Sequence, residues 1–404
     1  MSQLKKYTRQ INQLASYLLL VLVYSCVQPY EFSINESGKT LIVESVLTDQ
    51  EIHQEIKISR SFSFGLLDPK MERNALVFIS NQRGQEFMFA EVEKGIYKSI
   101  DKFGAQKGDS YILRIQTQDG DKYTSDPMML SAQVTTSGLS VSASVNNTGD
   151  KGASLQWYST TENSSGSYYR FTYEETYKII APMWSPYDAV VVSEGVDTFD
   201  LRVVLREQEE KICYGYDTQP SIILADTHTF QQDVLNQFEV LFLSLSNPKI
   251  SHRYSVLVKQ YLISDQAFAF YSTLQKQGGD QWMFSSSQPG KINGNIHPDD
   301  ETSGPVVGFF DVAGYQEHRI FFNFEDLFPS EPQPPYFVSC NVSAPSVMGT
   351  LGTRELLNVL YEDTAIYYKD NRGIMPGGPM LMVTPACGDC TRLGSNKKPD
   401  FWQE

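Results

Sequence analysis

The sequence has few basic residues. Lys and Arg number 33 against 48 Asp and Glu, a net charge of −15 over 404 residues. That balance excludes a nucleic-acid binder held by phosphate contacts, which needs a basic face. Tryptophan is scarce, with four copies, and cysteine also, with five. No stretch approaches the 18 or so consecutive apolar residues of a membrane-spanning helix. Catalytic signatures are missing as well. There is no Gly-x-Ser-x-Gly elbow, no His-Glu-x-x-His and no phosphate-cradling glycine loop. Only five histidines occur: His53, His228, His252, His297 and His318. No catalytic residue, metal set or cofactor is therefore assigned.

What is present is aromatic and β-branched. Tyr and Phe each number 23, and 41% of residues are hydrophobic, enough for a sizeable core and inconsistent with wholesale disorder. This texture favours strands.

The N-terminus carries an export signal. Lys5, Lys6 and Arg9 precede an apolar run from Leu14 to Val23, about ten residues and too short to span a bilayer. The run ends in Val23-Tyr24-Ser25-Cys26, the pattern of a bacterial lipobox. Residues 1–25 read as a lipoprotein signal peptide, and residues 26–40 as a lipidated Cys26 with a tether. Loss of Lys5, Lys6 and Arg9 with the leader deepens the net charge from −15 to −18. Acyl chains on Cys26 contribute about 0.8 kcal/mol per buried methylene, so several make a stable anchor.

Four cysteines follow: Cys213, Cys340, Cys387 and Cys390. In an exported chain an even number points to disulfides, and four allow three pairings. Cys387-Gly-Asp-Cys390 is a C-x-x-C, but no helix pattern follows it as a redox site would need, and no second ligand pair lies nearby for zinc. It reads as a structural bridge pinning the C-terminal tail.

Short alternating runs fill the rest. Leu41 to Leu47, Glu55 to Ser59, Ala75 to Ser80, Glu86 to Val92, Ile96-Tyr97, Tyr111 to Thr117 and Lys122 to Ser125 predict strands. Asn81-Gln-Arg-Gly84 and Asp119-Gly120 supply turns. This spacing predicts an immunoglobulin-like β-sandwich over residues 41–130. Residues 131–404 predict a larger β-rich domain, with strands at Ala153 to Tyr158, Tyr168 to Tyr173, Val190 to Val192, Gln237 to Leu245 and Tyr254 to Leu262. One helix is expected from an N-cap at Ser264 to a stop at Gly278, with Ala267, Phe268, Tyr271 and Leu274 on one face. A weaker one spans Thr353 to Leu360. Gly279 to Gly308 and Asp370 to Glu404 are expected to be loop-rich. The fold class is thus mainly β with one or two short helices.

Small polar motifs are weighed the same way. Asp226-Thr-His228 is too sparse to define a site. Asp299-Asp300-Glu301 lacks the spacing of a calcium loop and reads as a solvated turn. Asp363-Thr364-Ala365 matches a short bacterial O-glycosylation acceptor, which makes Thr364 a possible modification site.

A series of segments carries a family resemblance. They are Leu41-Ile-Val-Glu-Ser-Val-Leu-Thr-Asp49, Gly95-Ile-Tyr97, Gly108-Asp-Ser-Tyr111, Tyr254-Ser-Val-Leu-Val-Lys-Gln-Tyr261, Gln288-Pro-Gly-Lys-Ile-Asn-Gly-Asn295, Val306-Val-Gly-Phe-Phe310, Cys387-Gly-Asp-Cys390 and Pro399-Asp-Phe-Trp402. Following a lipobox in this order, they resemble the Bacteroidetes lipoprotein family of domain of unknown function 4249. The resemblance implies an outer-membrane lipoprotein, lipid-anchored on the cell surface or the periplasmic face, encoded beside a TonB-dependent receptor. It supplies no catalytic residues. Tyr214 follows Cys213 where some members carry Trp, which leaves the disulfide pairing open. The leading expectation is a non-enzymatic accessory subunit of a TonB-dependent outer-membrane receptor. The alternative is a free-standing surface glycan- or peptide-binding module. An enzyme would need a histidine such as His228 beside a nucleophile, or a free Cys387.

Overall fold

A computed structural model describes residues 40–61, 70–161, 166–195, 199–218, 221–228, 234–278, 294–347 and 354–404. The architecture is mainly β, and Lys39–Glu404 forms one compact unit. No helix among the described residues is long and apolar enough to cross a membrane.

The alternation read between residues 41 and 125 is realised as antiparallel strands. Leu41–Thr48, Glu55–Arg60, Ile96–Ser99, Glu86–Glu93, Leu76–Asn81, Ser110–Gln116 and Lys122–Ser125 are neighbours in that order. Their inward residues, among them Leu41, Val43, Ile56, Ile58, Val77, Ile79, Leu113 and Tyr123, share one hydrophobic cluster. The Asp119-Gly120 turn closes as its residues demand. Gly120 has φ 98, and the Thr117 amide donates to the Asp121 carbonyl at 2.9 Å. Gly95 is required twice over. Its φ is 70, and an added Cβ would lie 2.5 Å from the Ile58 carbonyl oxygen.

The longest strand, Val306–Asn323, is one that local alternation does not announce. Its first part runs parallel to Leu41–Thr48, from Leu41↔Val306 to Thr48↔Ala313. Its second part runs antiparallel to Arg253–Ile263, from Leu262↔Gly314 to Arg253↔Asn323. Phe309, Phe310, Val312 and Ala313 thereby enter the same cluster as the strands of residues 41–125.

The helix expected after Ser264 is Asp265–Gly278. The Ser264 hydroxyl accepts from the Ala267 amide at 3.2 Å, the expected N-cap bond, and donates to Asp311 Oδ1 at 2.8 Å. Asp311 is fully buried, which pushes its carboxyl above the usual range. Ala267, Phe270, Tyr271 and Leu274 bury against the first cluster. The weaker helix is Glu355–Tyr361.

A second layer pair follows. The sheet Ile212–Thr218, Tyr168–Ile180, Arg253–Ile263, Val306–Asn323 shares a core with the three-stranded sheet Val134–Val145, Lys151–Thr161, Val234–Ser244. Trp157, Tyr169, Phe171, Val256 and Val258 fill it, with Trp157 edge-on to Phe171 at 5.8 Å. A smaller core of Ala189, Leu356, Tyr367 and Met382 joins the hairpin Tyr187–Glu194/Phe199–Leu205 to the Glu355–Tyr361 helix and to the strands Ile366–Asp370 and Met380–Val383. The stretch from Asp370, expected to be loop-rich, thus contributes the buried strand Met380–Val383 and a short helix, Pro385–Gly388.

Candidate functional site

The cysteines form two long-range bridges, Cys213–Cys390 and Cys340–Cys387. The two sulfurs of the C-x-x-C therefore go to different partners. Cys213, Cys387 and Cys390 are completely buried. Pro385 starts the short helix that holds Cys387, and Asp389 then caps the turn Cys390–Arg392 by accepting from the Thr391 amide at 2.8 Å. The bridges fix the last 15 residues. Ser395 pairs with Tyr214, and Trp402 stands edge-on to Tyr214 at 5.0 Å and to Phe321 at 5.7 Å.

The other polar motifs separate in space. His228 Nδ1 lies 2.8 Å from Asp226 Oδ1, and its ring rests on Tyr168 at 4.3 Å. His53 meets the Ser99 carbonyl, His318 the Ser137 hydroxyl and His297 the Asp126 carboxylate. Burial lowers the His252 pKa. No three metal-ligating side chains converge among the described residues. Asp300 spends its carboxylate on its own turn, accepting from the amides and hydroxyls of Thr302 and Ser303, and these bonds lower its pKa. Thr364 is exposed, in the turn after the Glu355–Tyr361 helix, next to Asp363 at φ 52. Cys26 lies outside the described residues.

A partly buried charge cluster joins one end of the second core. Lys249 Nζ sits 3.0 Å from Glu175 and 2.9 Å from Asp217. Tyr254 donates to Glu175 at 2.7 Å and Tyr177 to Asp217 at 3.0 Å. Every partner is satisfied, so the cluster ties the Pro248–Ile250 turn to the sheet.

A shallow cleft of about 340 Å³ opens beside Lys151, Ser244, Ser246 and Pro332 to Pro335. No aromatic side chain lines it.

Among the described residues, the hairpin Tyr187–Glu194/Phe199–Leu205 carries several exposed apolar side chains. Leu205 is 68% exposed, Tyr187 48%, Val192 47%, Val190 38% and Val203 36%. The two strands pair only with each other among the described residues, so each leaves one edge of backbone donors and acceptors unpaired. Glu194 fixes one end, accepting from Arg354 at 2.7 Å and from Tyr361 at 2.9 Å. Sequence reasoning found Val190 to Val192 but missed the partner strand. The alternation of Phe199, Leu201, Val203 and Leu205 was the signal that could have found it.

Comparison with known proteins gives one family. Residues 27–319 match the family described as Domain of unknown function (DUF4249). No curated protein matches the chain. A solved structure described as the BSP domain of a biofilm associated protein aligns at 9% identity with a TM-score of 0.12. The alignment covers 56% of this chain and 56% of that one, a likeness too slight to bear on fold or function.

Proposed function

The chain belongs to the DUF4249 family, and on that premise we propose that it is a non-enzymatic, lipid-anchored partner subunit of a TonB-dependent outer-membrane receptor. The lipobox at Cys26 supports the anchor, and the resemblance set out above supports the class of partner. The observation that carries the reading is the hairpin. Strands with apolar side chains and unpaired edges invite another chain, and folded proteins ordinarily charge, shorten or cover them. Here they stand exposed on a body whose interior is closed by two disulfides and by satisfied polar clusters. Such a body suits a rigid adaptor, with the anchor at one end of the chain and the docking edge within it. The possible acceptor Thr364 lies on the element behind the hairpin, in the turn that follows the Glu355–Tyr361 helix.

The test is a pull-down of the tagged protein from native outer membranes in gentle detergent, with mass spectrometry of what co-purifies. A stoichiometric TonB-dependent receptor supports the reading. A chain that comes down alone after mild cross-linking overturns it and favours a free-standing binding module.

A further inference from the structure

The outer face of the sheet Ile212–Thr218, Tyr168–Ile180, Arg253–Ile263, Val306–Asn323 carries an arrangement that receptor docking does not use. Tyr169, Phe171, Tyr173, Val256 and Val258 point into the core, so their sequence neighbours point out. The registers place Arg170, Tyr261 and Tyr315 in one row, and Thr172, Lys259 and Glu317 in the next. Glu174, Leu257 and Arg319 form the third, then Tyr216, Thr176, Ser255 and Phe321. The helix Asp265–Gly278 bounds the strip at one end, where the Arg170 guanidinium lies between the rings of Tyr261 and Tyr271 at 4.5 and 4.7 Å. Residues 401–403 bound the other, with Trp402 on Phe321 and the Gln403 carbonyl accepting from Arg253.

Three arginines of this strip lack a carboxylate partner among the described residues. Most arginines elsewhere pair with carboxylates, as Arg60 does with Glu72 and Arg354 with Glu194. Arg170, Arg253 and Arg319 form no ion pair among the described residues, and each lies over an aromatic ring instead. Arg319, half-buried like the other two, is the arginine that neighbours Tyr216. Its guanidinium sits 3.7 Å from the centre of the Phe401 ring and donates to the Ser255 hydroxyl at 3.2 Å. Burial draws its pKa down, a sign that water solvates this cation poorly. Beside it, Tyr216 holds out a ring that is 59% exposed. The nearby carboxylates each accept one hydrogen bond and keep further lone pairs for other donors. Glu174 accepts from Lys259 at 2.5 Å, and Glu317 accepts from the Tyr315 hydroxyl at 2.5 Å.

We propose that this strip binds an acidic polysaccharide, a chain of uronic-acid sugars, with a sugar carboxylate on Arg319 and a pyranose C–H face on Tyr216. A sheet face has already spent its backbone hydrogen bonds within the sheet, so an extended peptide gains no main-chain pairing here. A phosphodiester polymer carries its donors on bases and sugars rather than on the charged group, and a phosphate seated on Arg319 would meet Glu174 and Glu317 with acceptor oxygens only. A uronate brings both. Its carboxylate suits the guanidinium fork, its hydroxyls can donate to Glu174 and Glu317, and its apolar face suits an aromatic ring. The acidic net charge does not prevent this, because charges beyond about 8 Å are screened at physiological salt.

The test is calorimetry on the purified soluble chain with oligogalacturonate, against a neutral maltooligosaccharide of equal length. The inference requires binding of the acidic oligomer, weakening as salt is raised, with little heat from the neutral one. Arg319→Gln should weaken binding about tenfold or more, the scale of one charge-assisted hydrogen bond. Tyr216→Ala, at an exposed ring that the fold does not need, should weaken it severalfold and keeps the test valid if Arg319→Gln folds poorly. No binding at millimolar oligogalacturonate overturns the inference, as does binding that neither variant changes. The assay uses the chain without any receptor, so its outcome is separate from that of the pull-down.

Discussion

The Trp402 indole stands edge-on to the Tyr214 ring at 5.0 Å, and Tyr214 is the neighbour of Cys213, whose sulfur is bonded to Cys390. The tail is thus held to the sheet twice within two residues of one strand, by a covalent bond and by an aromatic contact. Trp402 is 5% exposed. Trp402→Ala should cost about 3 kcal/mol, the low end for truncating a buried Trp, because a surface strap can partly collapse. Urea unfolding followed by tyrosine fluorescence measures this, and a loss below about 0.5 kcal/mol would show that the disulfide alone holds the tail.

The two disulfides should differ in worth. Cys213–Cys390 closes 177 residues and Cys340–Cys387 closes 47. Loop-closure entropy grows slowly with length, so both should contribute several kcal/mol, with the longer ahead by less than about 1.5 kcal/mol. Paired Ser substitutions at each bridge, compared by denaturant midpoint at equal slope, give the order. A larger loss from the Cys340/Cys387 pair would contradict the chain-entropy account.

Much of this fold was legible where neighbours in sequence are also neighbours in space. The Asp119-Gly120 hairpin, the Ser264 cap and the alternation from Tyr111 to Ile115 are local facts, and the strands lie where those residues put them. Val306–Asn323 was not legible for two reasons. From Gly308 to Tyr315 it is buried throughout, so apolar and polar residues do not alternate, and Asp311 and two glycines dilute the run. Its partners are also remote, since Leu41 pairs with Val306 across 265 positions that no local pattern reports. The disulfide pairing was hidden similarly, because spacing cannot choose among three connectivities. The strip around Arg319 needed four strands in register before its residues shared a surface.

Lys249 is the keystone of the partly buried charge cluster, in which Glu175 is the buried carboxylate. Burial alone would lower its pKa, but the hydrogen bonds and charges of Asp217 and Glu175 outweigh it and raise the net value, so the ammonium stays charged. Lys249→Met should leave the Glu175 carboxylate buried without its counter-ion, at a cost of about 3 kcal/mol. The double variant Lys249→Met/Glu175→Gln should recover a good part of that loss. Thermal unfolding of Lys249→Met, Glu175→Gln and the double variant checks both statements, and a double loss equal to the sum of the single losses would show that the pair is not coupled.

His252 should give the stability a dependence on acid. Burial, helped by the charge of Lys178, holds its folded pKa below 6.5. Above pH 6.5 the ring is neutral in folded and unfolded chains alike, and its contribution is complete. As pH falls below 6.5 the unfolded chain takes up the proton first, and stability drains until the folded pKa is reached. The difference in unfolding free energy between the wild type and His252→Gln should therefore shrink from pH 7.5 towards pH 5. A constant difference over that range would place the ring in solvent.

The hairpin prediction bears most directly on function. Leu205 is 68% exposed and Val192 47%, so neither holds the fold, and surface changes of this kind usually move stability by less than about 0.5 kcal/mol. At a docking edge the same changes act differently. A charge on an edge strand opposes pairing, and a desolvated charge with no partner costs an interface several kcal/mol. Leu205→Asp and Val192→Lys should leave the melting temperature and the oligogalacturonate isotherm unchanged, yet strip the receptor from the detergent pull-down. Two opposite charges at two positions guard against a purely electrostatic effect of one sign. If either variant still recovers the receptor in full yield, this hairpin is not the docking edge.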